Sequence, residues 1–418
     1  MLERAEIKKI TDDWQSWFQA SKNILVARSQ KLSLPKNNAL AITGVRRCGK
    51  TFAAVELAKN FQNVLYVNFE DPSFYQDNSV RNLDNIISVY TEYSGTAPGM
   101  VLFDEIQNID GWERWARKAV DMKKWPLVIT GSSSRLLGSE ISTAISGRCI
   151  EKQLWPLSLG EYITFTGSHG GTSLSQDGYL AALRSYMRWG GFPQCVQSAS
   201  EADKTELLRQ YMNDLVYKDI INRHKIRTKR NLDQMTGYYL ANISKLHSYS
   251  GLKKAFGIST ETSSEYGGFL EEAFLFFEVK RFHPNQKVQS RDPKKIYVID
   301  TGLRNANTPS GANDTGKLAE NIVYVHLRRK GCGVRYFSEN RETDFVVMQD
   351  GEPVDAIQVC YSDMQDAETY RREVEGLCEC LEKTKLQTGL ILTLNREETI
   401  RRGNKRIKFV PLYKWLLQ

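Results

Sequence analysis

The chain reads as an α/β protein whose first large part is a three-layer core built on a parallel sheet. Three observations predict this. Near-continuous apolar runs at Ala39–Thr43, Val64–Phe69, Met100–Phe103 and Leu127–Thr130 alternate with helix-period stretches, as expected of parallel strands buried on both faces. The stretch NALAITGVRRCGKT, Asn38 to Thr51, runs from strand through tight turn into helix with glycines at fixed spacing. The third apolar run, MVLFDEIQ, delivers two acids, Asp104 and Glu105, at its carboxyl end.

The turn fits G-x-x-x-x-G-K-[ST], with Gly44, Gly49, Lys50 and Thr51 in the fixed places. Glycine allows the backbone bends that a Cβ would forbid. The N–H groups of Gly44, Val45, Arg46, Arg47, Cys48 and Gly49 can then point inward as a nest, and the helix dipole adds positive charge where phosphate would sit. Lys50 is expected to reach the outer phosphates of a nucleotide, and Thr51 to offer its hydroxyl to Mg²⁺. The following helical run, Ala53, Ala54, Leu57, Ala58 and Phe61, supplies the context that separates this loop from a chance match.

Asp104 is expected to share the Mg²⁺ with Thr51, and Glu105 to polarise an attacking water as general base. The bland alternative is two solvated acids at a strand end. Downstream of a phosphate loop, with one strand between them in the chain, the acids carry more weight. No NKxD base-reading motif stands near the core, which favours ATP over GTP.

The fourth run ends ITGSSS, so Thr130 or Ser132 lies where a hydroxyl could sense the γ-phosphate; a turn or helix cap is the ordinary role of such a cluster. Arg148 opens a fifth strand. It is either a finger reaching a neighbouring subunit's site, which implies a homo-oligomer, or half of a surface ion pair.

Bulk properties set outer limits. The 418 residues suffice for about two to four domains. The chain is 41% hydrophobic and 25% charged, ordinary for a globular protein. No apolar run approaches the roughly 20 residues of a membrane span, and MLERAEIKKITDDW lacks a secretory h-region, so a cytoplasmic protein with no membrane partner is expected. The seven cysteines are odd in number and irregular in spacing, which suits free thiols. A net charge of +8 permits a polyanionic partner without requiring one. In the lead-in, Ile10, Trp14, Trp17 and Phe18 share one helix face, expected to pack on the core.

GVRRCGKT, NFEDP at Asn68–Pro72, DEIQNIDGW, TGSSSRLL, SGR and PLSLGEY together resemble the prokaryotic AAA-type ATPases that carry a conserved C-terminal domain of uncharacterised function. The likeness runs from about residue 35 to the C-terminus. It implies ATP and Mg²⁺ as ligands and ATPase roles for Lys50, Thr51, Asp104, Glu105, Ser132 and Arg148. It also implies an AAA-like core, a winged-helix module and a degenerate nuclease-like tail. The expected division is a helical lead-in at 1–37, the ATPase core at 38–165, a helical lid at 166–230, a winged helix at 231–310 and a small α/β nuclease-like domain at 311–418.

The later sequence refines this. Residues 166 to 180 read as a loop, and Lys218–Arg230 as a basic run, solvated or touching phosphate. Residues 231–305 have the helix and strand order of a winged helix. Its third helix is capped by Ser259 and expected to break at Gly267–Gly268. Glu261 and Glu265 at that helix's start argue against base reading. The wing, with Lys280, Arg281, Lys287, Arg291, Lys294 and Lys295, offers sequence-blind contact to nucleic-acid backbone or a protein surface. In the tail, Glu320 on a helix and Asp344 on a strand resemble the PD-(D/E)xK arrangement. The E-x-K positions are held by Gln358 and Cys360, poor substitutes for a carboxylate and an ammonium, so nuclease activity is expected to be lost. Three readings follow: an ATPase, a nucleic-acid-binding module switched by ATP, and a metal-dependent nuclease.

Overall fold

The computed structural model describes every residue except 1, 132–144, 146, 168–173 and 310–313. By contact the chain divides into two compact units, Met1–Trp155 and Pro156–Gln418.

The first unit contains α1 (Arg4–Ser21), β1 (Ala39–Gly44), α2 (Lys50–Ala58), β2 (Val64–Asn68), α3 (Arg81–Ser94), β3 (Met100–Asp104), α4 (Trp112–Asp121), β4 (Leu127–Thr130) and β5 (Cys149–Leu154). The five strands form one sheet in the order β2-β3-β4-β1-β5, every neighbouring pair parallel. β1, β3 and β4 are buried along their whole length, which is why they read as unbroken apolar runs. β4 follows β3 in the chain but lies between β3 and β1, so the chain reverses direction across the sheet beside β1. Ligands bind beyond the strand carboxyl ends at such a reversal.

The lead-in helix α1 packs where its apolar face predicts. Ile7, Ile10 and Phe18 are buried. The rings of Trp14, Trp17 and Phe18 meet Tyr66 of β2 at centroid distances of 5.9, 5.2 and 5.6 Å.

The second unit opens with helices α5 (Leu159–Phe165), α6 (Gln176–Trp189), α7 (Pro193–Gln197) and α8 (Glu201–Asp214). Ser175 caps α6, so helix begins inside the stretch expected to be loop. Next come α9 (Lys229–Ala241), β6 (Leu246–His247), α10 (Tyr249–Phe256), α11 (Thr260–Glu272), β7 (Phe276–Val279) and β8 (Lys294–Val298). These strands form a three-stranded antiparallel sheet, β6-β8-β7. The chain continues through α12 (Thr301–Asn307), α13 (Thr315–Arg329), β9 (Gly333–Ser338), β10 (Glu342–Gln349), β11 (Glu352–Cys360), α14 (Ala367–Lys383), β12 (Thr388–Thr393), β13 (Glu398–Arg402), β14 (Lys405–Pro411) and α15 (Leu412–Leu416). Its sheet has the order β13-β14-β12-β11-β10-β9, antiparallel from β9 to β11 and parallel where β12 joins β11 and β14.

Two expectations are corrected here. α11 starts at its Ser259 cap as expected but runs unbroken through Gly267 and Gly268. A Cβ on Gly267 would stand 3.2 Å from both the Glu278 Oε1 and the Tyr249 hydroxyl. That glycine therefore makes room for a polar core instead of ending the helix. The wing is also less basic than its sequence. Arg281 is paired with Asp292 at 3.0 Å, Lys294 with Glu278, and Lys295 is 2% exposed among three carboxylates. Three of the six cations proposed for phosphate contact are thus committed internally.

The start of α12 ties the helices of this unit together. The Asp300 carboxylate accepts from the Leu303 N–H at 3.0 Å and the Gly191 N–H at 2.6 Å. A Cβ on Gly302 would lie 2.1 Å from the Trp189 carbonyl oxygen, a backbone atom that cannot swing aside. Gly302→Ala should therefore destabilise the Pro156–Gln418 unit by about 2 kcal/mol or more, read as a lower urea midpoint for its transition in the intact chain.

Candidate nucleotide-binding site

The turn after β1 adopts the conformations its glycines were expected to permit. Gly44 has φ +147° and Gly49, at the start of α2, φ +97°. A Cβ on Gly44 would lie 2.2 Å from the Leu154 carbonyl oxygen at the end of β5. Between them Arg47 also sits at positive φ, 70°, which costs a non-glycine residue energy and persists where surrounding structure enforces it. The Arg46 guanidinium bonds the Glu70 carboxylate at 2.7 Å. Cys48 is fully buried with its Sγ 3.4 Å from the Leu154 carbonyl, and burial raises its thiol above the usual range.

Lys50 is buried and folds back along the loop. Its Nζ donates to the carbonyls of Gly44 at 3.3 Å and Val45 at 3.4 Å, and lies 3.8 Å from Glu105 Oε1. Burial would lower its pKa, but the charges of Glu105, Cys48 and Asp104 together outweigh that and leave it raised. An entering phosphate would replace weak carbonyl contacts with a full opposite charge.

Asp104 is the hub. The Thr51 hydroxyl donates to its Oδ2 at 2.7 Å, the Tyr66 hydroxyl at 3.1 Å and the Asn68 amide at 3.3 Å, while Thr130 donates to Oδ1. Burial, together with the charge of Glu105, pushes the Asp104 carboxyl up to about 6. Thr130 serves twice, since its hydroxyl also accepts the Glu105 N–H at 3.2 Å. Glu105 lies just past β3 at φ +52°, and its carboxylate is held by the Gln107 amide. Thr51 and Asp104 thus present a hydroxyl and a carboxylate together at the strand ends, an oxygen donor set that fits Mg²⁺. The turn's glycine-dependent backbone fits a phosphate chain.

The structure brings Gly44 through Thr51, Asp104 and Glu105 into one site. It does not bring Arg148 there. Ala39 pairs with Cys149 and Gly44 with Leu154, so Arg148 stands at the amino end of the sheet, five residues or roughly 16 Å of strand from the turn. Its Nε donates to Asp121 of α4 at 2.9 Å. Ser132 lies outside the described residues.

Sequence reasoning missed three contributors and placed a fourth in another role. Tyr66 and Asn68 sit on β2 and reach Asp104 sideways. Their signal was present but faint, as polar tips in an apolar strand. Thr130 was weighed as a phosphate sensor, whereas here it braces both acids. Arg28 had no signal at all, because its surroundings lack periodicity. It is 8% exposed and donates to the Cys48 carbonyl at 3.0 Å and the Trp155 carbonyl at 2.8 Å, bracing the turn against the chain beyond β5.

Comparison with known proteins agrees with this geometry. A family model described as an AAA domain matches residues 36–163, and a domain of unknown function (DUF8612) matches 180–314. An uncharacterized protein of Methanocaldococcus jannaschii is 30% identical over 419 residues, covering 95% of this chain and 92% of that one. The chain belongs to that protein's family. Its first unit is an AAA-type, ATP-binding P-loop fold. An uncharacterized Haemophilus influenzae protein is 30% identical over 326 residues, covering 74% of this chain and 80% of its own. One from Mycobacterium tuberculosis is 25% identical over 267 residues, covering 63% and 54%. Among solved structures, the Aeropyrum pernix ORC1 protein in complex with DNA aligns at TM-score 0.30 and 10% identity, covering 73% of this chain and 92% of that one. A structure reported for katanin self-assembly aligns at 0.27 and 15%, covering 50% and 71%. Likenesses this slight decide nothing further. Among the described residues no helix is long and apolar enough to cross a membrane.

Arg28→Ala would leave two buried carbonyls without their donor, a cost of about 1–3 kcal/mol. It should weaken binding of a fluorescent ATP analogue by about tenfold or more, while the far-UV circular dichroism of the chain is unchanged.

Proposed function

We propose that this chain is a Mg²⁺-dependent ATPase. The observation that carries the reading is the Thr51 hydroxyl 2.7 Å from Asp104, with Lys50 and Glu105 3.8 Å apart beside it. One buried place thus gathers a phosphate cradle, a metal donor pair and a candidate base. The backbone from Gly44 to Gly49 grips the triphosphate. Lys50 leaves the Gly44 and Val45 carbonyls for the outer phosphates. Thr51 and Asp104 would hold Mg²⁺, whose charge offsets that of the phosphates. Glu105, steered by its left-handed backbone and by Thr130, orients water for attack on the γ-phosphorus. Arg148 can meet a phosphate only in another copy's site, so any finger role for it requires a homo-oligomer.

The order α9-β6-α10-α11-β7, a short helix at Gln286–Arg291 and then β8, with the sheet β6-β8-β7, supports reading 231–310 as a winged helix. The run α13-β9-β10-β11-α14-β12 supports a nuclease-like reading of the tail. ATP turnover would move these modules. Nucleic acid as their client has weaker support, because the wing's cations are partly paired. The second reading, a nucleic-acid-binding module switched by ATP, rests on the net charge of +8, the basic run Lys218–Arg230 and the wing's remaining cations. It predicts salt-sensitive duplex binding, and no binding at low salt would remove it.

Lys50→Ala should abolish Mg²⁺-dependent phosphate release. Glu105→Gln should still bind ATP but lose about 10²–10⁴ in turnover. Wild-type rates in either variant would sink this site. Acidity gives a separate check. With its carboxyl at about 6, Asp104 is ionised above that pH and protonated below it, where it cannot hold Mg²⁺. Mg²⁺-dependent ATP affinity, measured by calorimetry, should therefore fall about tenfold per pH unit below 6, ahead of any unfolding.

A further inference from the structure

The side chain of Lys295 crosses from β8, in the three-stranded sheet, to acids belonging to other elements. Its Nζ lies 3.1 Å from Glu320 Oε1 on α13, 2.9 Å from Asp344 Oδ1 on β10 and 2.6 Å from Glu342 Oε1 at the start of β10. The lysine is 2% exposed. The Tyr297 hydroxyl, two residues along β8, donates to the same Glu320 oxygen at 2.6 Å. The second Asp344 oxygen accepts the Val359 N–H at 3.0 Å.

We propose that Lys295 is the built-in cation of this carboxylate site, seated where a divalent metal would otherwise bind, so that the C-terminal sheet is closed to metal by the chain itself. Three features point that way. The two residues at the expected third-ligand and lysine positions face other partners. The Gln358 Oε1 accepts the Asp344 N–H at 3.0 Å, and its amide donates to Glu373 at 2.6 Å. The Cys360 Sγ lies 3.3 Å from the Ser362 hydroxyl. The acidic oxygens stand at ammonium distance, 2.6–3.1 Å, outside the roughly 2.0–2.2 Å that Mg²⁺ or Mn²⁺ demands. Accordingly, no group of three His, Cys, Asp or Glu side chains among the described residues is placed to hold a metal ion. Finally, a buried lysine is tolerated only when paired, and three carboxylates stand around this ammonium. The inference is independent of ATP hydrolysis by the first unit.

The test is Mn²⁺ binding to nucleotide-free full-length chain, followed by electron paramagnetic resonance, with Asp104→Asn in every sample to silence the other site. Thermal melting is read in parallel. With Lys295 in place the chain should bind no Mn²⁺ at this cluster. Lys295→Ala should melt earlier, because buried acids lose their counter-charge, and should bind Mn²⁺ at least about tenfold more tightly than the parent, with melting temperature recovered. Adding Asp344→Asn should remove both effects. Should the alanine variant fail to fold, Lys295→Gln keeps most of the stem and must bind Mn²⁺ likewise. The proposal is overturned by Mn²⁺ binding at Glu320 and Asp344 with Lys295 present, by metal-dependent plasmid nicking by wild type that Asp344→Ala removes, or by folded lysine variants that take up no metal.

Discussion

A carboxylate withdrawn from water must be answered by other groups, and in the first unit that carboxylate is Asp104. Four side-chain donors converge on it from three different elements: Thr51 from α2, Tyr66 and Asn68 from β2, and Thr130 from β4. Each bond is modest, about 1–3 kcal/mol where one partner is ionised, but together they make a buried acid tolerable. They also leave it incompletely satisfied as an anion, since its pKa still rises to about 6. A site poised in this way gains by taking up a cation, which is the chemistry its position beside a phosphate cradle calls for.

The surroundings of that hub explain why residues far away in the chain matter to it. α1 lays three aromatic rings around Tyr66, whose hydroxyl touches the acid. Arg28 clips the turn's Cys48 carbonyl to Trp155 beyond β5. Both contacts brace a backbone held in left-handed conformations at Arg47 and Glu105. Such strain persists because neighbouring structure over-determines it.

The second unit solves a similar electrostatic problem in the opposite way. Lys295 fills its acidic cluster permanently, and Glu278 gathers Lys294 and two tyrosine hydroxyls into another closed polar core. The contrast between an acid held by neutral donors and acids paired with a lysine separates the two units chemically.

The strands, the glycine turn and the acid pair were legible because each is written locally. Apolar runs mark buried strands, φ above zero demands glycine at Gly44 and Gly49, and Asp104 follows directly on the strand that delivers it. The capped start of α11 was readable for the same reason, as a serine one residue ahead of its helix. What the chain's order concealed was which charges are free. Arg148 read as either a finger or half of a surface ion pair, and it stands at the amino end of its strand bonded to Asp121. Lys295 read as a wing cation open to a partner and is buried; Arg28 gave no signal and braces the site. Charge pairing depends on separation in space, and the partners of these residues lie from 20 to 127 positions away in sequence. Only the folded chain, which brings these distant segments side by side, decided those neighbours.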